Sequence, residues 1–158
     1  MNICFIILVG GKSKRFNSKT PKTYLKYKGK PLLLHSIDKA KKYQKFSKIV
    51  LVINKSHKTY IKKLKIKNVK IVIGGNTRCE SAYKGLNSVK NDNIKNVMIH
   101  DAARPNFSLR LLNTIIKKME ELRLVIPTVK IKNEVKEKFE PEKYEYIVSR
   151  DRKDLFLN

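Results

Sequence analysis

Five continuous runs of apolar residues, most of them β-branched, punctuate the chain: Ile3 to Leu8, Ile49 to Ile53, Val69 to Ile73, Val97 to Ile99 and Leu124 to Ile126. Strands buried on both faces read this way, and helical periodicity fills the gaps between the runs. The combination predicts an α/β fold, an open and mostly parallel sheet with crossover helices on both faces. One helix is expected to begin at Pro31, with Leu33, Leu34, Ile37 and Ala40 along one face. A second is expected from about Arg78 with Ala82, Leu86 and Val89 inward. A third follows the capping residue Ser108, with Leu111, Leu112, Ile115, Ile116 and Met119 inward.

Beyond Pro127 the period changes. Thr128 to Ser149 alternates apolar and polar residues around the turn-prone Glu140-Pro141-Glu142-Lys143, so about 128–150 reads as a two-stranded arm projecting from the sheet. No repeat, low-complexity tract or linker interrupts the chain, and 1–158 reads as one domain of ordinary size carrying that arm.

The formal charge of +24 points toward a polyanionic partner: nucleic acid, an anionic membrane or a highly phosphorylated small molecule. Its make-up argues against nucleic acid. There are 30 Lys and only 7 Arg, spread from Lys12 to Lys153 without a block, whereas nucleic-acid readout favours Arg forks and clustered patches. The abundance of Lys, Asn and Ile looks like a bias toward A/T-rich codons, so most lysines read as solvated surface and the few arginines as the informative cations. Cys4 and Cys79 are too few and too far apart for a disulfide framework or a zinc site and read as reduced thiols. The run Cys4 to Val9 is too short to span a membrane, has no basic residue before it and meets Gly10-Gly11 at once. A cytoplasmic protein with no membrane partner is the expectation.

In open parallel sheets ligands sit beyond the carboxyl ends of the strands. The first such loop is Val9-Gly10-Gly11-Lys12-Ser13-Lys14-Arg15. Adjacent glycines let backbone amides approach phosphate oxygens, and three basic side chains add charge, although a tight strand exit would read the same way. The spacing matches neither a Walker loop nor the dinucleotide fingerprint. Lys22, beside Pro21, is placed to supply a fixed positive charge near the same loop. A second Gly-Gly turn, Gly74-Gly75-Asn76, permits backbone contact with a planar base, and Ser81 adds a hydroxyl; ordinary turn and cap chemistry is the alternative. The fourth run ends in His100-Asp101-Ala102-Ala103-Arg104-Pro105. Asp101 is placed to hold Mg²⁺ against phosphates and Arg104 to grip a second anion, though an Asp after a strand is also a common turn residue. His100 is expected on the opposite face, as a structural histidine rather than a general base.

Together these loops resemble the 2-C-methyl-D-erythritol 4-phosphate cytidylyltransferases, which share a fold with the ribitol-5-phosphate cytidylyltransferases. The matching pieces are Gly10-Gly11 with Arg15, Pro21-Lys22-x-Tyr24-Leu25, Gly29-Lys30-Pro31-Leu32-Leu33, Gly74-Gly75-x-x-Arg78-x-x-Ser81, Gly85-Leu86 and, most specific, His100-Asp101-Ala102-Ala103-Arg104-Pro105. The likeness extends to Arg152 with Leu155-Phe156. It implies a Rossmann-like sheet of the nucleotide-diphospho-sugar transferase type and transfer of a cytidylyl group from CTP to a polyol phosphate with release of pyrophosphate. It further implies that Arg15 and Lys22 stabilise charge on the α-phosphate as catalytic residues, and that Val9, Gly10, Gly11, Gly75, Asn76, Ser81 and Ala102 bind the nucleotide. Asp101 would hold Mg²⁺ and, with Arg104, Arg152 and Glu134, line the acceptor site, Arg152 acting across a homodimer formed through the arm.

Two departures stand out. The family carries Asp-Thr in the arm where this chain has Asn133-Glu134, exchanging a hydroxyl for a carboxylate that would repel phosphate. The chain also reads as an incomplete copy that stops at Asn158, before a further family segment, and such a sheet is expected to be poorly stable alone. From the resemblance, methylerythritol phosphate is the expected acceptor and ribitol phosphate the runner-up, with an inactive truncated remnant or a basic nucleic-acid-binding domain the alternative from a different class.

Overall fold

The computed structural model describes residues 2–10 and 20–128, and the backbone alone of 135–139 and 146–150. The elements run β1 (Ile3–Leu8), a 3-10 turn (Lys22–Tyr24), β2 (Lys26–Tyr27), β3 (Lys30–Pro31), α1 (Leu32–Tyr43) and β4 (Phe46–Ile53). A second 3-10 turn (Lys55–His57) leads into α2 (Lys58–Lys63), then β5 (Lys70–Ile73), α3 (Arg78–Asn87), β6 (Asn96–Asp101) and α4 (Leu109–Lys118). Last come β7 (Val135–Phe139) and β8 (Tyr146–Arg150). The chain divides into two compact units, Met1–Leu111 and Leu112–Asn158.

In the first unit a four-stranded sheet has the order β5-β4-β1-β6, and every pairing in it is parallel. All six residues of β1 are buried, as a central strand covered on both faces requires. The two faces follow from the period of two. Cys4, Ile6 and Leu8 share one face with Val50, Val52 and Val89. There α3 lies so close that a Cβ on Gly85 would stand 2.9 Å from Val52 Cγ2 and 3.0 Å from Ile6 Cγ2. On the other face the Phe5 ring stacks on Phe46 at 4.6 Å and on His100 at 5.6 Å, with Phe107 closing the cluster at 6.0 Å. Helix α1, which packs on β4, buries Leu33, Ile37 and Ala40 at helical spacing. Full burial of each such aliphatic side chain stabilises the fold by about 1.5–3 kcal/mol. Cys4 and Cys79 are free thiols, and burial pushes the Cys4 thiol up to about 11, which leaves it unreactive.

Several local expectations change. Pro31 caps α1 from β3 instead of opening the helix, because β2 and β3 form a tight hairpin in front of it. Its turn residues Lys28 and Gly29 both have positive φ, 46° and 80°, the geometry two-residue hairpins favour. Leu86 is 40% exposed: α3 turns Ser81 and Gly85 inward, and Leu86 lies one helical step away from that line. Ser108 does cap α4, its Oγ accepting from the Leu111 amide at 3.0 Å, yet Leu111 faces solvent while Leu112 is buried. The expected strand at Leu124 to Ile126 is absent: no neighbour completes a ladder with it among the described residues, and Leu124 and Ile126 are 74% and 55% exposed. An apolar run makes a strand only when another strand takes its hydrogen bonds.

In the second unit β7 and β8 pair antiparallel, Val135 opposite Arg150 and Phe139 opposite Tyr146, inside the span expected for the arm. Leu112 and Ile116, four residues apart, are the buried positions of α4.

Gly85→Val is expected to lower unfolding stability by about 1–3 kcal/mol through overpacking against Ile6 and Val52. Urea denaturation measures this, and an unchanged midpoint would refute the close packing of α3 on β1 and β4.

Candidate functional site

The strand ends of the sheet are level. Leu8 of β1 lies opposite Val52 of β4 and Asp101 of β6. One step on, the Val9 amide donates to Val52 O at 2.8 Å and the Ala102 amide to Leu8 O at 3.0 Å. The Gly74 amide donates to Ile53 O at 2.8 Å. The loops singled out in the sequence therefore leave the sheet side by side. Gly10 lies against the Asn54 backbone, and Asn54 caps the following 3-10 turn by accepting from the Ser56 amide at 2.9 Å.

The exit of β5 is held by α3. Thr77 caps the helix, its Oγ1 accepting from the Glu80 amide at 3.0 Å, and Glu80 returns a carboxylate oxygen to the Asn76 amide at 2.9 Å. Ser81, 8% exposed, accepts from the Gly75 amide at 3.1 Å. A Cβ on Gly75 would fall 2.3 Å from Glu80 Cβ, so the turn closes onto the helix only with glycine there. Gly75, Asn76 and Ser81 thus form one small cradle whose two amides are already engaged.

At the exit of β6, Asp101 sits between two guanidinium groups: Arg78 Nε is 3.2 Å from Oδ1 and Arg104 Nε 3.4 Å from Oδ2. Arg78 opens α3, so this pair joins the β5 and β6 loops directly. The motif pointed to Arg78 without giving it a partner. Ala102 is fully buried, and its carbonyl also accepts from Ser36 Oγ at 3.3 Å. Both its backbone groups are occupied, which makes Ala102 a floor for the loop and not a free donor. Lys39 braces the stretch beyond, donating to Pro105 O at 2.7 Å and Phe107 O at 2.8 Å. His100 faces away from Asp101, wedged against Phe5 and Phe107 with Nε2 3.0 Å from Arg104 O. Burial lowers its pKa, against the opposing hydrogen bond to Arg104, as befits a structural histidine.

Lys22 is exposed in the 3-10 turn Lys22–Tyr24, and the buried Tyr24 ring anchors that turn. Tyr24 stacks on Tyr60 at 4.7 Å and meets His57 edge-on at 5.2 Å. His57, 5% exposed, has its pKa lowered by burial, against an opposing pull from the Val9 backbone. Thr23 Oγ1, the Tyr24 hydroxyl and His57 Nδ1 are buried without partners among the described residues. Such a group costs about 1–3 kcal/mol each. His57 carried no signal in the sequence, since a lone histidine among lysines looks like surface. Gly11, Arg15, Glu134 and Arg152 lie outside the described residues. Of the remaining expected site residues, Val9, Gly10, Gly75, Asn76, Ser81, Asp101, Ala102 and Arg104 are gathered at one end of the sheet, and the turn that bears Lys22 meets the segment leaving β4 through the contact of Tyr24 with His57.

The family model for 2-C-methyl-D-erythritol 4-phosphate cytidylyltransferase matches residues 3–157. The chain belongs to that family. It is 64% identical over 138 residues to the bifunctional enzyme IspD/IspF of Pelagibacter ubique, covering 87% of this chain and 37% of that protein. It is 35% identical over 139 residues to the 2-C-methyl-D-erythritol 4-phosphate cytidylyltransferase of Clostridium novyi, covering 84% of this chain and 59% of the relative. The crystal structure of 4-diphosphocytidyl-2C-methyl-D-erythritol synthase from Anaerococcus prevotii superposes with a TM-score of 0.78 at 25% identity, over 98% of this chain and 66% of that one. The chain thus spans less than two thirds of the length of these relatives. No helix among the described residues is long and apolar enough to cross a membrane.

His57 and His100 both titrate below their ordinary range because burial disfavours the cation. The unfolded chain then binds more protons than the folded one below about pH 6.5, so this stability is complete above that pH and is lost as pH falls toward the lowered values. Urea midpoints at pH 7.5 and 5.5 are expected to show the lower value at pH 5.5; equal midpoints would contradict buried neutral histidines.

Proposed function

We propose that this chain carries the cytidylyl-transfer site for 2-C-methyl-D-erythritol 4-phosphate, working from CTP in non-mevalonate isoprenoid precursor synthesis. The observation that carries the reading is the gathering, at one end of the sheet, of Gly10, the Gly75 cradle with Ser81, and Asp101 with Arg104. A phosphate oxygen of the acceptor attacks the α-phosphorus of CTP. A new P–O bond forms as the bond to the β-phosphate bridge breaks, and pyrophosphate leaves with that electron pair. The protein supplies position and charge, and no side chain acts as nucleophile.

In this reading Gly10 and Gly11 wrap the triphosphate next to the Val9 exit, and Arg15 and Lys22 stabilise the charge that builds on the α-phosphate. Gly75, Asn76 and Ser81 take the cytosine, which then competes with Glu80 for the Asn76 amide. Ala102 shapes the floor. Arg104 and Arg152 hold the acceptor phosphate, Glu134 lies where the family carries a hydroxyl, and the arm brings two copies together as a homodimer in the cytoplasm. A lone two-stranded hairpin is marginal in water, which favours an arm that pairs with something.

Asp101 fits magnesium of a particular kind. The ion takes one or two carboxylates and fills its other positions with water and phosphate oxygens. Asp101 offers one half-buried carboxylate, and no group of three or more acidic, histidine or cysteine ligands exists among the described residues. Such a donor set suits an ion that arrives with the triphosphate, where it would neutralise phosphate charge. The Arg78 and Arg104 guanidinium groups hold the carboxylate in place and are themselves suited to phosphate.

Pyrophosphate release from CTP and methylerythritol phosphate tests the reading. It is expected to require Mg²⁺, to fall about 100-fold or more in kcat on Lys22→Ala or Arg15→Ala, and to be slower with ribitol phosphate. Turnover indifferent to both substitutions would overturn it, as would nucleic-acid binding that weakens steeply with salt in place of any turnover.

A further inference from the structure

Arg104 cannot hold itself in place. Its side chain is 80% exposed and meets Asp101 through Nε at 3.4 Å. An exposed ion pair of this kind contributes about 0–1 kcal/mol, less than the roughly 2 kcal/mol of rotamer freedom that a long cationic side chain gives up when it is fixed. The place of this guanidinium is set by the backbone beneath it.

That backbone is held by its carbonyls. Asp101 O accepts from the Arg104 amide at 3.0 Å, which closes the turn, and Ala102 O accepts from Ser36 Oγ at 3.3 Å. The His100 ring brings Nε2 to 3.0 Å from Arg104 O. Lys39 Nζ then takes two carbonyls at once, donating to Pro105 O at 2.7 Å and Phe107 O at 2.8 Å, and stands 4.9 Å from the centre of the Phe107 ring. Ser36 and Lys39 are three residues apart in α1, neighbours on one side of the helix. One helix face therefore grips the loop at both of its ends. Lys39 differs in this from a solvated lysine: its ammonium, which carries three donors, spends two of them on carbonyls 66 and 68 residues away in sequence.

We propose that Lys39 is a positioning residue for the acceptor phosphate: by gripping Pro105 O and Phe107 O from α1 it fixes the loop on which Arg104 stands. The proposal rests on the cytidylyltransferase reading for the role of Arg104 and on the bonds of Lys39 for its geometry. Lys39 acts through the backbone and touches no substrate. A loop fixed in advance removes freedom that acceptor binding would otherwise have to remove. A misplacement of about 1 Å is enough to cost about 100-fold in rate where chemistry depends on placement.

The test uses the full chain with Lys39→Met, which keeps the length of the side chain and loses its donors, and Lys39→Arg, which restores them. Lys39→Met is expected to raise the KM for methylerythritol phosphate about tenfold, with a smaller drop in kcat and an unchanged KM for CTP, and Lys39→Arg to recover part of the loss. A purely structural loss would instead lower the active fraction, and so kcat, with both KM values unchanged. In an Arg104→Ala background Lys39→Met is expected to add little, since the two residues act as one unit. Hydrogen exchange read by peptide is expected to accelerate about tenfold across 102–107 in Lys39→Met, with 74–80 unchanged. Wild-type exchange in folded Lys39→Met, equal rises in both KM values, or a full effect persisting without Arg104 would overturn the proposal. If the unmodified chain neither binds nor turns over CTP, the functional reading fails, and the exchange data still decide whether Lys39 holds the loop.

Discussion

The hydrogen-bond ladder on either side of β1 governs everything at the candidate site. Leu8 is level with Val52 and with Asp101, and the amides of Val9, Ala102 and Gly74 continue the ladder one step past the strands proper. Parallel pairing in register brings chain segments some ninety residues apart in sequence to a common edge with no contact between their side chains being needed first. A slip of one residue would turn Asp101 toward the Phe5 face and His100 toward Arg78, because the side-chain period is two. The burial of all six β1 residues on two different surfaces is what forbids that slip.

The loops held this way are closed on themselves. Glu80 takes the Asn76 amide, Ser81 the Gly75 amide, and Arg78 with Arg104 the two oxygens of Asp101. Each internal partner is of the same kind as what a ligand would offer: acceptor oxygens for the amides and cationic guanidinium groups for the carboxylate. Unliganded charge in a half-buried cleft would be costly, so internal partners keep the site assembled and set the exchange that binding must make. The overall charge of +24 says little beside this arrangement, since the cations paired with Asp101 are two arginines, Arg78 and Arg104.

The sheet was legible in the sequence because its strands are continuous β-branched runs, and the site because glycine pairs and an Asp-Ala-Ala-Arg stretch follow those runs at once. What was not legible depended on partners. Leu124 to Ile126 has the composition of a strand and no ladder to join, Leu86 has the composition of a core residue and sits one step off the buried line of α3, and Pro31 was displaced by a hairpin that only the positive φ of Lys28 and Gly29 makes possible. His57 is the sharpest case. Its neighbours in sequence are Ser56 and Lys58, and nothing there distinguishes it from a surface histidine; it packs against Tyr24 of the Lys22–Tyr24 turn and Tyr60 of α2.

Chemistry by placement imposes a particular demand on such a fold. Where a side chain attacks the substrate, one reactive atom has to be right; where only charge and orientation act, every contributing loop has to be right at once. A parallel sheet meets part of that demand, since β1, β4 and β6 are braced along their length and their exits inherit the rigidity of the ladder. Lys22 is the exception, for its turn belongs to no strand of the central sheet. Tyr24, edge-on to His57 and stacked on Tyr60, joins that turn to the segment leaving β4, where the His57 amide donates to Asn54 O, and the polar atoms left without partners there among the described residues are the cost of the connection.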